Sequence, residues 1–461
     1  MLLAVRSSRA ATPTNRPSPA DPPLVCPPER PSSSAGRAAG NRAQPEPCDE
    51  CAGGDSGSVH TSFGSLTTVP SIDFGRALRE ARNANPAAMP DILARSATAF
   101  GATDLVVYLV DFSRTVLEPM PNGLVHADAP GSEELATTMA GRAFNDQQIV
   151  TAHRHDHVRV WIPVVEGSDR TGVIALSLPR VDDDVLAACV ELGIVAGYLI
   201  AVHARSTDVY DLYRRRRSMS LAASMQWDIL PPLVLAAGGV SVAGVLEPAY
   251  DIGGDCFDYA VNGSFLDFAI MDAVGRGLGA ARTAAAAISS YRHDRREGRS
   301  IVAMHSNLGS LIKSLHQDSS FVTGLLARID LASGALTWTN AGHPLPLLIR
   351  RGRVVGELHC PPTPPWGVSA RQPSVKADQL EPGDCVLSYT DGITEARTPD
   401  GEFFGVERLI DLTDRHAAES LRPEEMLSRI VTSVREHQGS GELGDDATAL
   451  MVRWDGPDRA D

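Results

Sequence analysis

The feature that most constrains the fold is a set of aspartates at the ends of apolar segments in the second half of the chain. Phe265–Met271 is a nearly continuous apolar run, which predicts a strand covered on both faces, and Asp272 follows it directly. Cys385–Tyr389 predicts a second strand, and Asp391 follows it within a Thr-Asp-Gly turn. Both strands therefore carry a carboxylate at one end.

Two more places in the sequence have an acid beside a predicted strand. Asp445 and Asp446 stand directly before the predicted strand Thr448–Val452, and Asp255 follows two glycines in EPAYDIGGDCFDY. Each motif alone is typical of a turn or a cap. Carboxylates gathered in one place repel each other, and hard divalent cations, which prefer oxygen ligands, remove that cost. If these acids converge, the set predicts a Mg²⁺ or Mn²⁺ site.

Composition divides the 461 residues into four regions. Residues 1–70 are rich in Pro, Ser, Ala, Arg and Gly, and we expect disorder because they cannot bury enough apolar area to offset ordering. Residues 72–205 predict a small α/β domain, residues 206–230 predict a single linker helix that ends at two prolines, and residues 231–455 predict one larger domain. An apolar stripe along the linker predicts pairing with a second copy, hence a homodimer.

Apolar periodicity predicts the individual elements. In the first domain we expect helices at 74–83, 89–100 and 185–204, and strands at 104–111, 158–165 and 172–178. In the larger domain we expect strands at 240–246, 265–271, 322–329, 335–340, 345–350, 385–389 and 448–452, and helices at 278–295, 301–317, 406–414 and 423–436. Because strands dominate and helices come in blocks, the predicted class is α+β rather than alternating β and α.

Charge and cysteine content narrow the possible partners and compartments. The formal net charge of −15 disfavours binding to nucleic acid or to anionic membranes. Seven scattered cysteines suit a reducing compartment better than a disulfide framework. The apolar stretches 186–204 and 232–246 are interrupted by Glu191 or by glycines and fall short of the roughly 20 clean residues of a membrane span. We therefore expect a cytoplasmic protein that binds neither nucleic acid nor a membrane.

Five segments of the second half, taken in order, resemble the motifs of one enzyme family. They are EPAYDIGGDCFDY, FAIMDAVGRGLGAA, FVTGLLARIDLASGALTWTNAGHPLPLLI, LSYTDGITEARTPDGEFFG and DDATALMV, and the resemblance as a whole runs from about residue 230 to 453. This series resembles the bacterial metal-dependent serine/threonine phosphatases of the PPM type (2C class), in the branch of SpoIIE and the sigma regulators. The resemblance implies a two-sheet antiparallel β-sandwich flanked by helices, with two Mn²⁺ or Mg²⁺ ions at one end and phosphoserine or phosphothreonine proteins as substrates.

The resemblance also implies roles for individual residues. Asp255 matches the aspartate that bridges the two ions, Asp272 matches a second ligand, and we expect both to be catalytic. The backbone carbonyl of Ala273 matches a further ligand, and Asp391 and Asp445 match the remaining carboxylates. Two such ions lower the pKa of a shared water and clamp the phosphoryl oxygens, so hydroxide attacks phosphorus without a covalent enzyme intermediate.

The chain departs from the family pattern at Arg276, where members commonly carry His or Lys. Arginine can pair with a phosphate in bidentate fashion, so Arg276 is a candidate substrate-binding residue, and an exposed loop residue is the equal alternative. Asp446 is the alternative to Asp445 as a ligand, although the first of the two acids aligns better.

Residues 76–205 resemble, more loosely, the GAF-like sensor domains that are often fused to this branch. The resemblance lies in ATDLVVYLVD and in GRAF at 141–144. The branch typically dephosphorylates anti-sigma-factor antagonists, so such a phosphoprotein is the implied substrate and the sensor domain the implied regulator. Two alternatives stay open: a non-catalytic regulatory binding module that kept the fold, and a phosphohydrolase acting on a small molecule.

Overall fold

The computed structural model describes residues 74–120, 131–251, 253–315, 320–369, 372–419, 421–439, 443 and 445–457. The segment 1–70, for which we expect disorder, lies outside these residues. The described residues all fall within one compact unit, Thr67–Asp461.

The N-terminal part of this unit is built around a six-stranded antiparallel sheet. Its elements are α1 (Phe74–Ala81), α2 (Met89–Ala97), β1 (Asp104–Val110), β2 (Val116–Met120), β3 (Glu133–Glu134), α3 (Met139–Asp146), β4 (Val150–His153), β5 (Val158–Glu166), β6 (Asp169–Leu178) and α4 (Asp183–Ala204). The strand order is β3-β2-β1-β6-β5-β4. The three longest strands, β1, β5 and β6, are the ones that the apolar runs predict.

Helix α4 packs closely on this sheet through two glycines. A Cβ at Gly193 or Gly197 would overlap the carbonyl oxygen of Pro163 or Val165 in β5. By length and composition alone, α4 is the one helix among the described residues that could cross a membrane, and the core helix of a soluble protein meets the same criteria. One face of α4 is buried against the sheet, and the other is exposed.

The linker contains two helices, α5 (Val209–Arg214) and α6 (Leu221–Ile229). The prediction of a single helix over residues 206–230 is therefore wrong. Hydrogen bonds to Tyr250 hold the break, because its carbonyl accepts from the amide of Ser220 at 2.9 Å and its hydroxyl accepts from the amide of Arg216 at 3.2 Å. The Ser220 hydroxyl then caps α6 by accepting from the amide of Ala223 at 3.1 Å. Tertiary contacts thus override the apolar stripe, and Ala222 from that stripe is buried within the chain.

The C-terminal part contains two stacked antiparallel sheets between helices. Its strands are β7 (Val234–Ala237), β8 (Val240–Glu247), β9 (Asp255–Asn262), β10 (Phe265–Ala273), β11 (Val322–Asp330), β12 (Ala335–Ala341), β13 (Leu347–Arg350), β14 (Arg353–Glu357), β15 (Lys376–Gln379), β16 (Asp384–Tyr389) and β17 (Ala447–Trp454). Its helices are α7 (Gly277–Arg296), α8 (Ile301–Leu315), α9 (Asp391–Thr394), α10 (Val406–Ala418) and α11 (Pro423–Gln438).

One sheet has the order β15-β12-β11-β10-β9 and the other β14-β13-β16-β17-β8-β7. Phe268 and Trp338 of the first sheet share a buried apolar cluster with Val242 and Val452 of the second, so the two sheets form a sandwich. Helices α7 and α8 pack on the outside of the first sheet, and α10 and α11 pack on the outside of the second. The predicted α+β class with a two-sheet antiparallel sandwich is confirmed.

Candidate active site

The structure places Asp255 and Asp272 directly opposite each other on neighbouring strands. Asp255 begins β9, and the antiparallel register pairs it with Asp272 near the end of β10. Asp255 is only 2% exposed, and the Thr390 hydroxyl donates to one of its carboxylate oxygens at 2.7 Å. Its backbone carbonyl accepts a hydrogen bond from the buried side-chain amide of Gln226 at 2.6 Å. Two elements distant in sequence, α6 and the end of β16, therefore fix the position of this acid.

The two glycines before Asp255 allow the loop to fit between other backbone segments. A Cβ at Gly254 would overlap the carbonyl of Ala273, the residue that ends β10. The amides of Gly253 and Gly254 donate to one carboxylate oxygen of Asp446, at 2.7 and 2.8 Å. Asp446 thus fixes the loop that carries Asp255, a role that no sequence pattern indicates.

Asp391 and Asp445 lie nearby on the solvent side of the acid pair. Asp391 begins the short helix α9 directly after Thr390, and it is exposed. The Asp445 carboxylate forms an ion pair with Arg276 at 3.1 Å, and both side chains are about two-thirds exposed, 63% and 64%. Asp391, Asp445 and Arg276 line a polar cavity of about 410 Å³.

The carboxylates of this region disfavour one another's ionised forms. Burial, followed by the charges of Asp272 and Asp446, raises the pKa of Asp255 well above its ordinary value. Burial, followed by the charges of Asp391 and Asp445, raises the pKa of Asp272 to about 7. Both causes penalise negative charge, and a nearby cation would remove the penalty. In the protein alone, the negative charge of these carboxylates is therefore not compensated.

The donor atoms suit a hard divalent cation, because the candidate ligands are carboxylate oxygens and one backbone carbonyl. Across the described ranges, however, no three His, Cys, Asp or Glu side chains are grouped as a ready-made metal site. Asp255 and Asp272 form the convergent pair, whereas Asp445 faces Arg276 and Asp391 is exposed. The assignment of Asp255, Asp272, Ala273, Asp391 and Asp445 as ligands accordingly stays a prediction.

Part of the chain that carries this site is similar to a known protein family. Residues 263–455 match the family model described as Stage II sporulation protein E (SpoIIE). The match includes Asp272, Asp391 and Asp445 and begins after Asp255. Asp255 is assigned to the site because the strand register pairs it with Asp272. The matched part of the chain is therefore similar to the SpoIIE family over 263–455.

Two curated proteins are similar to about half of the chain. Protein IcfG from Synechocystis sp. is 26% identical over 267 residues, which cover 51% of this chain and 41% of that protein. Phosphoserine phosphatase RsbU from Bacillus subtilis is 25% identical over 242 residues, which cover 52% of this chain and 70% of that protein. The chain thus spans less than half the length of the first of these relatives.

Among solved structures, the SiaA-PP2C domain of Pseudomonas aeruginosa is similar with a TM-score of 0.44 and 22% identity. The alignment covers 51% of this chain and 94% of that domain.

Proposed function

We propose that the SpoIIE-type region is the catalytic domain of a metal-dependent protein serine/threonine phosphatase of the PP2C class. The proposal rests on the opposed pair of Asp255 and Asp272. Their raised pKa values show that the ionised carboxylates are unfavourable in the protein alone, and a bound cation would stabilise them. The family match of residues 263–455 supports the enzyme class, as does a relative that is named a phosphoserine phosphatase.

In this proposal, the residues of the site have three roles: they bind the metal ions, position a ligand and bind the substrate phosphate. Asp255 and Asp272 would hold Mn²⁺ or Mg²⁺, and Asp391, Asp445 and the Ala273 carbonyl would supply the remaining oxygen ligands. When bound, two such ions lower the pKa of a water molecule and neutralise the phosphoryl oxygens. The Thr390 hydroxyl and the Gln226 amide, which contact Asp255, keep this carboxylate in position. Arg276, at the edge of the 410 Å³ cavity, exchanges Asp445 for the phosphate of the substrate.

The substrate we propose is a phosphorylated anti-sigma-factor antagonist that presents a phosphoserine or phosphothreonine. An exposed, polar cavity beside the acids suits a phosphorylated segment on the surface of another protein. We propose further that residues 72–205 form a GAF-like regulatory domain. Its six-stranded antiparallel sheet, backed by α4, supports that assignment.

A second copy of the chain is the partner we propose for α4. Val190, Ile194, Tyr198 and Val202 recur at four-residue steps along its outer face, and all four are exposed. An antiparallel pair of α4 helices centred near Ile194 would bring Asp184 of one copy to Arg205 of the other, so charge and apolar contacts agree. The homodimer thus has better support at α4 than at the linker. Tyr198→Glu should lower the sedimentation mass to that of a monomer, and an unchanged dimer would exclude this face.

Turnover by the full chain tests the catalytic proposal against its alternatives. We would assay a phosphoserine peptide, a phosphothreonine peptide and p-nitrophenyl phosphate, each with Mn²⁺, with Mg²⁺ and with EDTA. A protein phosphatase cleaves the peptides only with metal. A small-molecule phosphohydrolase prefers p-nitrophenyl phosphate, and a non-catalytic binding module cleaves none of the three.

A further inference from the structure

A cavity of about 870 Å³ lies between the N-terminal sheet domain and the C-terminal sandwich. Its walls come from the turn after β1, from α3, from α6, from β8 and from α11. This volume lies within the range of cavities that bind drug-sized ligands. It lies apart from the acid pair, and none of the catalytic candidates lines it.

The cavity contains a buried arginine whose hydrogen-bonding capacity is only partly used. Arg170 is 7% exposed, and one of its terminal nitrogens donates to Glu424 at 2.6 Å. Its Nε atom is buried and has no hydrogen-bond partner within the part of the chain that the structure describes. A buried guanidinium whose donors are only partly paired is costly, so an anion beside this group would stabilise it.

Positive charge exceeds negative charge around Arg170. The single Glu424 carboxylate contacts both Arg170 and Arg422, the latter at 3.4 Å. Arg114 forms a longer ion pair with Asp169, at 3.6 Å. Burial lowers the pKa of Arg170, Glu424 opposes this effect, and the charges of Arg422 and Arg114 lower the pKa further. Three guanidinium groups therefore share two carboxylates, those of Glu424 and Asp169.

The other side of the cavity is apolar and aromatic. Phe112, Phe144 and Trp227 line it together with Leu427 and Val431 of α11. Phe112 and Trp227 contact each other, with ring centroids 5.0 Å apart. An aromatic or aliphatic body therefore fits opposite the basic end.

We propose that this cavity binds an anionic small molecule with an apolar body, whose acidic group pairs with the guanidinium groups of Arg170 and Arg114. The site would bind its ligand whether or not the chain hydrolyses phosphate esters. Because its walls come from both domains, occupancy would also hold these walls together.

The proposal can be tested by titrating the full chain with two fluorescent probes. One is 8-anilinonaphthalene-1-sulfonate, and the other is N-phenyl-1-naphthylamine, which has the same aromatic body and no sulfonate. The Arg170→Met variant should bind the sulfonate about tenfold more weakly, as expected for one charge-assisted hydrogen bond, and should bind the amine as before. Arg351→Met, at an exposed arginine elsewhere, is the matched control and should change neither affinity.

Arg170→Met also removes one basic partner of Glu424 and could disturb the cavity wall. A second variant therefore keeps Arg170 and fills the cavity instead. Ala136→Trp places a large side chain at an exposed lining position and should weaken both probes at least about fivefold. The proposal is overturned if both variants bind the sulfonate as the unchanged chain does, or if Arg170→Met weakens both probes equally.

Discussion

The hairpin of β9 and β10 carries two sets of buried acids, one at its open end and one further along its strands, and their charges are compensated differently. In the middle of β9, Asp258 forms ion pairs with Arg292 at 2.7 Å and with Arg295 at 2.9 Å, both from α7. Asp267 is likewise paired with Arg328 of β11 at 2.7 Å. These carboxylates are buried and compensated, which is the usual condition for a charge inside a protein.

At the open end of the same hairpin, Asp255 and Asp272 face each other instead. No arginine or lysine forms an ion pair with either acid among the residues described by the structure, and Thr390 supplies a neutral hydroxyl. The same two strands thus carry acids that arginines neutralise and acids whose mutual repulsion destabilises the folded protein. Such a cost is typical of functional sites, where a ligand completes the charge balance.

The largest expected effect is on turnover, and it comes from the open end. Asp272→Asn should lower Mn²⁺-dependent cleavage of a phosphoserine peptide about 10³-fold, because a metal ligand contributes several kcal/mol to transition-state stabilisation. Without metal, the same variant should be at least as stable as the unchanged chain, since it removes the repulsion with Asp255. Urea denaturation in EDTA measures the second effect, and intact Mn²⁺-dependent turnover would refute the assignment of Asp272.

The acids that are paired with arginines should respond in the opposite way. Asp258→Asn leaves Arg292 and Arg295 without their carboxylate in a buried setting, so we expect a loss of about 3–5 kcal/mol in the free energy of unfolding. The Mn²⁺ concentration that gives half-maximal turnover should stay the same for the folded fraction. Equal stability losses for Asp258→Asn and for Asp272→Asn in EDTA would contradict the distinction between the paired and the unpaired acids.

A buried base, with which no acid pairs among the described residues, extends the comparison to low pH. His305 is buried beside Trp366, and its Nδ1 lies 3.2 Å from the Thr339 hydroxyl. Burial lowers the pKa of His305 to about 4. Between pH 4 and the ordinary histidine value of 6.5, the unfolded chain binds more protons than the folded chain, so stability falls as the pH falls through this window.

The variant His305→Gln should remove this part of the pH dependence. Relative to the variant, the unchanged chain should lose up to about 3 kcal/mol between pH 6.5 and pH 4. His343, whose pKa burial lowers to about 3, remains in both proteins and cancels in the difference. Parallel stability curves for the two proteins would mean that His305 is not buried as a neutral group.

The strands that apolar runs encode could be predicted from the sequence, and β9 could not. Strands β10, β16 and β17 are apolar nearly throughout, so burial on both faces is visible in the residues themselves. Strand β9 reads Asp-Cys-Phe-Asp-Tyr-Ala-Val-Asn, a composition that is poor in strand formers at three positions. Its burial depends on Arg292 and Arg295, which reach it from a helix more than thirty residues away.

The candidate site shows the same division between local and tertiary information. The sequence could indicate which aspartates end strands, and the strand register then brings Asp255 and Asp272 together. The hydrogen bonds of Asp446 to the glycine amides and the ion pair of Asp445 with Arg276 connect segments more than 160 residues apart. No local pattern encodes such contacts, so the sequence could not separate the roles of the two adjacent acids.

The smallest expected effect on stability comes from Arg276, whose pair with Asp445 contrasts with the buried pairs of Asp258. Because both partners are about two-thirds exposed, Arg276→Gln should change the free energy of unfolding by no more than about 0.5 kcal/mol. If the arginine binds the phosphate of the substrate, the KM for a phosphoserine peptide should rise about three- to tenfold. Arg276→Lys should recover part of this loss, since it restores the charge without the bidentate geometry. An unchanged KM in both variants would make Arg276 an exposed loop residue that pairs with Asp445 and contacts no substrate.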